Sequence, residues 1–123
     1  MWVIFMYHCY ACNENTLHTF YKKEKALIYL LNKSDKQKEV FFKPLNSFEL
    51  IDKIFNYYSN EFFEIYENTI YYKNHTLSLN RFYIETNDIH QNILFDYMKR
   101  YHKTWCCIDE NHKVIWINTC KVT

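Results

Sequence analysis

The chain has no glycine and only one proline among its 123 residues. Phosphate-binding loops and nucleophile elbows depend on glycine, so the sequence excludes a Walker loop, a dinucleotide-binding fingerprint and a glycine-flanked serine elbow. Turns that need a positive φ must use other residues, and asparagine or aspartate tolerate that region at modest cost. The absence of glycine thus removes several large enzyme classes and predicts asparagine or aspartate at the tight turns.

The sequence also offers no segment of the kind that directs export or spans a membrane. The apolar opening, residues 1–7, lacks a basic region and a cleavage site and is shorter than a bilayer span. The cysteines number five, which is odd, and this predicts reduced thiols rather than disulfides. We therefore expect an intracellular protein in a cytoplasm-like, reducing compartment, with no membrane partner.

The residues that are abundant predict a packed core. Aromatic residues make up 20% of the chain and apolar residues 49%, which is far from the composition of disordered segments. The length suits a single domain covering residues 1–123. Fifteen basic against fourteen acidic residues give a net charge of +1, so a polyanion bound over the whole surface is not an expected partner.

Hydrophobic periodicity predicts an α+β fold, in which antiparallel sheets built from hairpins pack with about three helices. A hairpin is predicted at each end of the chain, formed by residues 2–9 with 17–21 and by residues 105–108 with 114–118. Further strands are predicted at 39–43, 62–66, 69–73 and 77–84. Helices are predicted at 22–32, from Asn46 to Tyr58, and from Thr86 or Asn87 to His102.

The opening of the chain resembles a group of viral proteins. The predicted first hairpin is closed by Phe20 and followed by a helix start with the sequence Lys-Glu-Lys-Ala at residues 23–26. This pattern is similar to the beginning of small uncharacterised hairpin-then-helix proteins of AT-rich large DNA viruses and phages, and it covers residues 1–30. The resemblance implies a small α+β domain that serves as a virion component or a host-directed accessory protein, and it assigns no functional residues.

The best candidate metal ligands are cysteine and histidine residues near the two ends of the chain. Cys9 and Cys12 form a Cys-x-x-Cys pair, which can hold one zinc ion, and Cys107 with His112 would complete a tetrahedral set. Cys106 and Cys107 are adjacent, so in a strand only one of them can face such a site. The alternative is that these cysteines are small buried residues of two strands. The sequence therefore leaves a zinc-stabilised module open and otherwise predicts no cofactor.

No complete set of catalytic residues occurs at a diagnostic spacing. His8 and Cys9 could form a nucleophile and base, but neighbours along a strand do not face one another. Glu61, Glu64 and Glu67 recur every three residues, yet in the predicted strand they would alternate between faces. The sequence therefore predicts no catalytic residues and no enzyme.

The segment 97–105 combines basic and aromatic side chains. Its candidate nucleic-acid contacts are Tyr97, Lys99, Arg100, Tyr101, Lys103 and Trp105. Bases stack on aromatic rings while cations hold phosphates, so this composition suits a small protein that binds single-stranded nucleic acid. The alternative is that the basic residues complement the helix dipole and the tyrosines continue an apolar helix face. Nucleic-acid binding is the second hypothesis.

The aromatic residues favour a role in protein contacts. Twelve tyrosines, ten phenylalanines and three tryptophans exceed what a core of this size can hide, so part of this aromatic surface should remain exposed. Exposed aromatic side chains commonly anchor protein interfaces. The leading hypothesis is therefore a small protein-interaction or structural module, which self-associates as a homo-oligomer or docks on a larger assembly.

Overall fold

A computed structural model describes residues 6–58 and 61–118. These residues form one antiparallel sheet of seven strands with five helices, which confirms the predicted α+β class. The strands are β1 Met6–Ala11, β2 Glu64–Tyr66, β3 Thr69–Tyr72, β4 His75–Leu79, β5 Ile84–Asn87, β6 Thr104–Asp109 and β7 Val114–Asn118. The helices are α1 Glu14–Phe20, α2 Glu24–Leu31, α3 Asp35–Lys38, α4 Ser47–Tyr57 and α5 Ile93–Tyr101.

The strand order places β1, the first described strand, in the interior of the sheet, between β5 and β6. The order is β2-β3-β4-β5-β1-β6-β7, and every neighbouring pair is antiparallel. Cys9 of β1 stands opposite Ile84 of β5 on one side and opposite Cys107 of β6 on the other. The two edges of the sheet are therefore β2 and β7.

Helices cover both faces of the central strands. Successive residues of a strand point to opposite faces, so Cys9 enters one core and Tyr10 the other. The first core lies under α4 and α5 and includes Leu50 and Met98. The second core lies under α1 and α2 and includes Leu27. Because both faces of β6 are covered, its sequence is an almost continuous run of buried residues rather than an alternating one.

The predicted opening hairpin is wrong, because residues 14–20 form α1 instead of a return strand. Asn13 caps this helix by accepting a hydrogen bond of 2.8 Å from the backbone N–H of Thr16. Phe20 then packs into the second core. The cap and the tertiary packing outweigh the local preference of threonine and aromatic residues for strands. Residues 2–5 of the predicted first strand lie outside the described residues, and its remainder belongs to β1.

The strand predicted at residues 39–43 is also wrong. The polar segment before it forms α3, which starts at a capping box between Ser34 and Gln37. Of the residues that follow, Phe42 pairs with Cys12 in an isolated β-bridge, which does not extend into a strand. The chain therefore crosses the second face of the sheet as a short helix and a turn.

The strand predicted at residues 77–84 is two strands. β4 ends at Leu79, and the intervening turn lets β5 start at Ile84. β5 continues through Asn87, where the third helix was predicted to begin, and α5 starts only after its cap, Asn92. More than one asparagine in this segment could cap a helix. Because Asn87 is paired in β5, the cap of α5 is Asn92.

The other predicted elements are confirmed. The helix at 22–32 is α2, and the helix starting at Asn46 is α4, whose cap accepts a hydrogen bond of 3.1 Å from the N–H of Glu49. The strands at 62–66 and 69–73 are β2 and β3, and the closing hairpin is β6 with β7. The described residues thus add α1 and α3 to the three expected helices.

The residues with positive φ differ from the expectation. In the described ranges they are Lys22, Glu67, Lys73, Asp88 and His112, with φ between 47° and 63°. One of the five is an aspartate and none is an asparagine, so the preference for these two residue types at such turns is wrong here. The left-handed region costs an L-residue on the order of 1 kcal/mol, which a single turn position can tolerate when the flanking strands are paired.

Candidate functional site

Three of the four described cysteines lie in the neighbouring strands β1 and β6, and the fourth, Cys12, directly follows β1. Cys9 and Cys107 are direct partners on β1 and β6 and face the first core. Cys12 faces the second core, and its Sγ lies 3.7 Å from the carbonyl oxygen of Thr104. Residues 9 and 12 are an odd number of positions apart, so the two halves of the Cys-x-x-Cys pair point to opposite faces. Cysteines that share a motif in the sequence are thus separated by the sheet.

Of the four candidate zinc ligands, Cys9 and Cys107 are brought together, whereas Cys12 and His112 lie elsewhere. His112 lies in the turn between β6 and β7 and lines a surface cleft, whereas the side chains of Cys9 and Cys107 enter the first core. In residues 6–58 and 61–118 no group of three histidine, cysteine, aspartate or glutamate side chains has a geometry that could hold a metal ion. The structure gives these cysteines the alternative role of small buried residues.

Burial also suppresses the reactivity of these thiols. Removal from water raises the pKa of the Cys12 thiol to about 12, and it raises the pKa values of Cys9 and Cys106 as well. Neighbouring thiols act in the same direction, because a second negative charge nearby is unfavourable. Since the thiolate is the form that attacks electrophiles and binds metals, none of these three is prepared for nucleophilic chemistry.

The segment 97–105 is divided between the core and the surface. The ring of Trp105 is fully buried, and its Nε1 donates a hydrogen bond of 2.7 Å to the carbonyl oxygen of His102, so no base can stack on it. Tyr97 packs against the first core. Lys99 forms an ion pair of 3.0 Å with Asp96. The contacts of Trp105, Tyr97 and Lys99 within the fold therefore explain these residues without a bound nucleic acid.

Arg100 and Tyr101 of that segment join residues of α4 and of the loop before α4 in a basic and aromatic surface. The guanidinium of Arg100 lies 5.5 Å from the ring centre of Tyr57 and hydrogen-bonds its hydroxyl. The ammonium groups of Lys43 and Lys53 lie 4.8 and 5.4 Å from the ring centre of Tyr101. These five residues are called the α4–α5 surface below. The sequence could not show the contribution of Lys43 and Lys53, because they are more than forty positions away from Tyr101.

Lys103, the last basic member of that segment, contacts another helix. Its ammonium forms an ion pair with the carboxylate of Glu14 in the first turn of α1. The lysine therefore links the loop before β6 to the helix layer on the second face.

Large aromatic side chains are exposed, as the composition predicted. Phe48 is 88% exposed, Phe62 79% and Tyr66 68%. They lie on α4, in the loop before β2 and on β2 itself. The exposed aromatic side chains are therefore spread over several elements. Which of these elements can form an interface depends on where they lie relative to the edges of the sheet.

The two edge strands of the sheet differ in character. β2 has only three residues, contains Glu64 and is exposed throughout. Short length and charge are the means by which natural edge strands avoid pairing with other chains. β7 has five residues, Val-Ile-Trp-Ile-Asn, with no charge and no proline. Among the described residues it pairs with β6 alone, so its outer edge is a template for a further strand.

An apolar groove lies between the helices that cover the second core. It has a volume of about 360 Å³ and is lined by the apolar or aromatic residues Phe20, Ala26, Tyr29, Leu30, Val40 and Phe41 and by the polar residues Lys33 and Gln37. The Lys33 ammonium lies 4.0 Å from the ring centre of Tyr29 and donates a hydrogen bond of 2.7 Å to its hydroxyl. The groove offers few polar groups to orient a reacting molecule, so its chemistry is limited to covering an apolar side chain.

A second, larger cavity lies where the end of α2 meets β1, β5 and β6. This cleft has a volume of about 500 Å³ and combines the apolar residues Met6, Tyr10, Ile28, Leu31 and Ile108 with the polar residues His8, Asn32, Glu85, Asp109, Glu110 and His112. His8 and Glu85 are direct partners on β1 and β5, and Nε2 of His8 lies 3.4 Å from Oε2 of Glu85. The ring of His8 also stacks on Tyr83 with ring centres 4.5 Å apart. The sequence did not indicate this cleft, since only the register of β1 against β5 brings His8 to Glu85.

Comparisons with known proteins do not assign the chain to a family. No protein-family model matches the sequence, and no curated protein matches it either. In the part of the chain that the structure describes, no helix combines the length and the apolar character that crossing a bilayer requires. The function must therefore be inferred from the surfaces themselves.

Proposed function

We propose that this protein is a small interaction module that self-associates through β7 and has no catalytic turnover of its own. The observation that supports this most directly is the uncharged apolar edge of β7, because an open strand edge presents unpaired N–H and C=O groups to another chain. The opposite edge, β2, is short and carries charge, so within residues 6–58 and 61–118 the sheet is open to extension at β7 alone.

The hydrogen bonding of the β6–β7 hairpin indicates which groups of β7 are available. The backbone N–H of Asp109 donates to the carbonyl oxygen of Lys113 over 3.1 Å, so these two residues form a hydrogen-bonded pair. In an antiparallel ladder such pairs alternate with non-bonded ones. The N–H and C=O groups of Val114, Trp116 and Asn118 are therefore directed away from β6 and towards the open edge.

The strand is also complementary to itself. In an antiparallel pairing of two copies centred on Trp116, Ile115 of one copy would stand opposite Ile117 of the other. The two tryptophans would be direct neighbours, and aromatic cross-strand pairs contribute on the order of 1 kcal/mol. Such a pairing has two-fold symmetry, which is the commonest symmetry of homo-oligomers. The product is one continuous sheet with seven strands from each copy.

This mode of association suits a component of a larger assembly. A module that extends its sheet can join a second copy, or it can occupy a place in a particle such as the virion that the resemblance to viral proteins implies. The buried, reduced thiols are compatible with a cytoplasm-like compartment, because no disulfide is needed to hold the described fold. Within this proposal the chain has a structural or accessory role.

The test uses the variant Trp116→Lys. The lysine stem retains part of the packing of the partly buried indole, while its charge lies at the edge and opposes pairing. The matched control is Tyr66→Lys, the same kind of substitution on the opposite edge strand. Light scattering after gel filtration, over a wide range of concentrations, should show a dimer for the wild type and for Tyr66→Lys and a monomer for Trp116→Lys.

Two results would contradict the proposal. One is a wild-type protein that remains a monomer at all concentrations. The other is a dimer that survives in Trp116→Lys, since the interface would then lie elsewhere on the molecule. Circular dichroism of the variants shows whether the sheet is intact, so a monomer can be distinguished from an unfolded chain.

The α4–α5 surface supports a second candidate function, the binding of single-stranded nucleic acid. The specific observation is that Lys43 and Lys53 converge on the ring of Tyr101, with Arg100 on the adjacent Tyr57. Cations beside partly exposed rings are the combination that holds phosphates and stacks bases. In this candidate function the buried Trp105 has no part in binding.

Fluorescence anisotropy with a fifteen-nucleotide oligothymidylate tests this candidate. Binding by the wild type that weakens with salt, and that weakens further in the double variant Lys43→Gln and Lys53→Gln, would support it. Lys36→Gln, the loss of one exposed lysine on α3, is the control for general charge effects. Equal affinity of all variants, or no binding in low salt, would exclude the α4–α5 surface as the site.

A further inference from the structure

We propose that the cleft between α2 and the sheet is a binding site for an alkylammonium cation, meaning a primary amine carried on a chain of methylene groups. This inference is independent of self-association through β7. It depends on the combination of volume, charge and apolar lining found at this one place in the described structure.

The charge of the cleft is negative although the chain as a whole is slightly basic. Its lining includes the carboxylates of Glu85, Asp109 and Glu110 and contains no lysine or arginine. The whole chain, in contrast, has one more basic than acidic residue. A site that concentrates one sign of charge attracts ligands of the opposite sign, so the expected ligand is a cation.

The end of α2 adds to this potential. The helix ends at Leu31, its last turn contains no basic residue, and both Leu31 and the cap Asn32 line the cleft. The carbonyl end of a helix carries a partial negative charge, which a cation stabilises. The carboxyl end of α2 and the three carboxylates come from different parts of the chain, and all of them line the same cleft.

The apolar lining distinguishes an organic cation from a metal ion. Tyr10, Ile28, Leu31 and Ile108 belong to the lining of the cleft and would cover methylene groups. The volume of about 500 Å³ is in the range of small-molecule sites and far exceeds that of a single ion. The carboxylates also do not form a metal-binding group, as no such group occurs among the described residues. The chemistry that fits is a charged amine at one end and an aliphatic chain behind it.

The acidic side chains of the cleft differ in the contacts that they make within the fold. Oδ1 of Asp109 accepts hydrogen bonds of 2.9 Å from the backbone N–H groups of Asn111 and Lys113, so this residue also holds the β6–β7 turn. Oε2 of Glu85 lies 3.4 Å from Nε2 of His8, and both side chains are partly exposed. Glu85 and Glu110 are therefore the residues through which the site can be tested with little effect on the turn.

Isothermal titration calorimetry with 1,5-diaminopentane measures the binding directly. We expect saturable binding by the wild type and at least about fivefold weaker binding by Glu85→Gln and by Glu110→Gln, because each loses a charge-assisted contact while keeping its shape. The control Glu49→Gln removes a carboxylate from α4, on the other face of the sheet, and should bind within about twofold of the wild type. Urea denaturation of each variant shows that the fold is retained.

Further probes separate the sources of the amine. If Nα-acetyl-lysine N-methylamide binds as tightly as the diamine, the site takes a lysine side chain of a peptide, and if only the diamine binds, it takes a free amine. Pentan-1-ol has the same chain without charge and should not bind. The proposal is overturned if the diamine fails to bind at millimolar concentration, if both glutamate variants bind it as well as the wild type, or if Mg²⁺ alone displaces it at equal concentration.

Discussion

Asparagine side chains begin three of the five helices of the described structure. Asn13, Asn46 and Asn92 each accept a hydrogen bond from a backbone N–H in the first turn of α1, α4 and α5. They differ in burial, since Asn92 is fully buried while Asn13 and Asn46 are exposed. The same residue type in the same role should therefore contribute differently to stability.

We predict that Asn92→Ala destabilises the protein by about 2–4 kcal/mol and Asn46→Ala by about 1 kcal/mol. Asn92 loses more because its Nδ2 also donates to the buried Thr86 Oγ1 and to the partly buried carbonyl oxygen of Asn87, both over 2.8 Å, and these acceptors would be left without this donor. Urea denaturation measures both values. Equal losses in the two variants would show that the buried network around Asn92 adds nothing to the cap.

The buried thiols predict a dependence of stability on alkaline pH. Below about pH 8.5, the usual pKa of an unfolded cysteine, both states hold their protons. Above it, the unfolded chain releases protons that the folded chain retains, because burial raises the pKa of Cys12 to about 12 and also raises that of Cys106. The free energy of unfolding should therefore fall from pH 8.5 to 10, by at most about 1.4 kcal/mol per pH unit for each such thiol.

The double variant Cys12→Ala and Cys106→Ala is the control for that pH dependence. It should be less stable at pH 7, because two buried side chains are shortened, but its stability should fall less steeply between pH 8.5 and 10. Denaturation with urea in matched buffers measures both quantities. An unchanged slope would mean that other groups cause the alkaline loss.

At the level of single elements, α4 shows how a helix with one buried face contributes to the first core. Ile54 is fully buried, whereas Asn56, two positions later, is exposed. We predict that Ile54→Ala costs about 2–5 kcal/mol, since it removes buried methylene groups and leaves a cavity. Asn56→Ala should change stability by no more than about 0.5 kcal/mol. Thermal or urea unfolding of the pair checks this, and a small effect of Ile54→Ala would mean that α4 packs loosely.

Elements with strong local signals could be predicted from the sequence. α4 has a cap at Asn46 and a regular apolar stripe, and the β6–β7 hairpin has two apolar runs around a polar turn. α1 was missed because Thr16, Leu17 and Phe20 suit either a strand or a short helix, and contacts with the second core decide between them. The start of α5 was missed for a related reason, since β5 extends through Asn87 only because β4 and β1 lie beside it.

The candidate sites depend on sheet order, which the sequence did not reveal. Residues 114–118 were predicted as a strand, but their place at an edge follows from the insertion of β1 between β5 and β6. The same insertion brings His8 beside Glu85 and so creates one side of the cleft. The composition correctly predicted that aromatic side chains would remain exposed, because this prediction depends on the number of aromatic residues and not on the order of the strands.

On the scale of the whole molecule, the interior position of β1, beside β6, joins the two ends of the described chain. His8 stands opposite Ile108, one hundred positions later, so the middle of the sheet closes only when nearly all of the described residues are in place. Pairing over such long separations carries a large loop-closure entropy and slows folding. The pairing of β1 with β6, which joins residues far apart in the sequence, therefore lies inside the sheet, and a hydrophobic core covers it on each face.

This architecture predicts the order of amide hydrogen exchange, which mass spectrometry of proteolytic fragments can measure. Amides of β6, and of β1 from Cys9 onwards, should exchange most slowly, because these residues are paired on both sides and nearly all are buried, so that their exchange requires global unfolding. Amides of β2 and α3 should exchange fastest, since β2 is an exposed edge and α3 has no buried residue. In Trp116→Lys, only β7 should become less protected at high protein concentration if two copies pair there. Exchange of β1 as fast as that of β2 would instead show that the first strand detaches without unfolding the rest, and the interior position of β1 would then contribute little to stability.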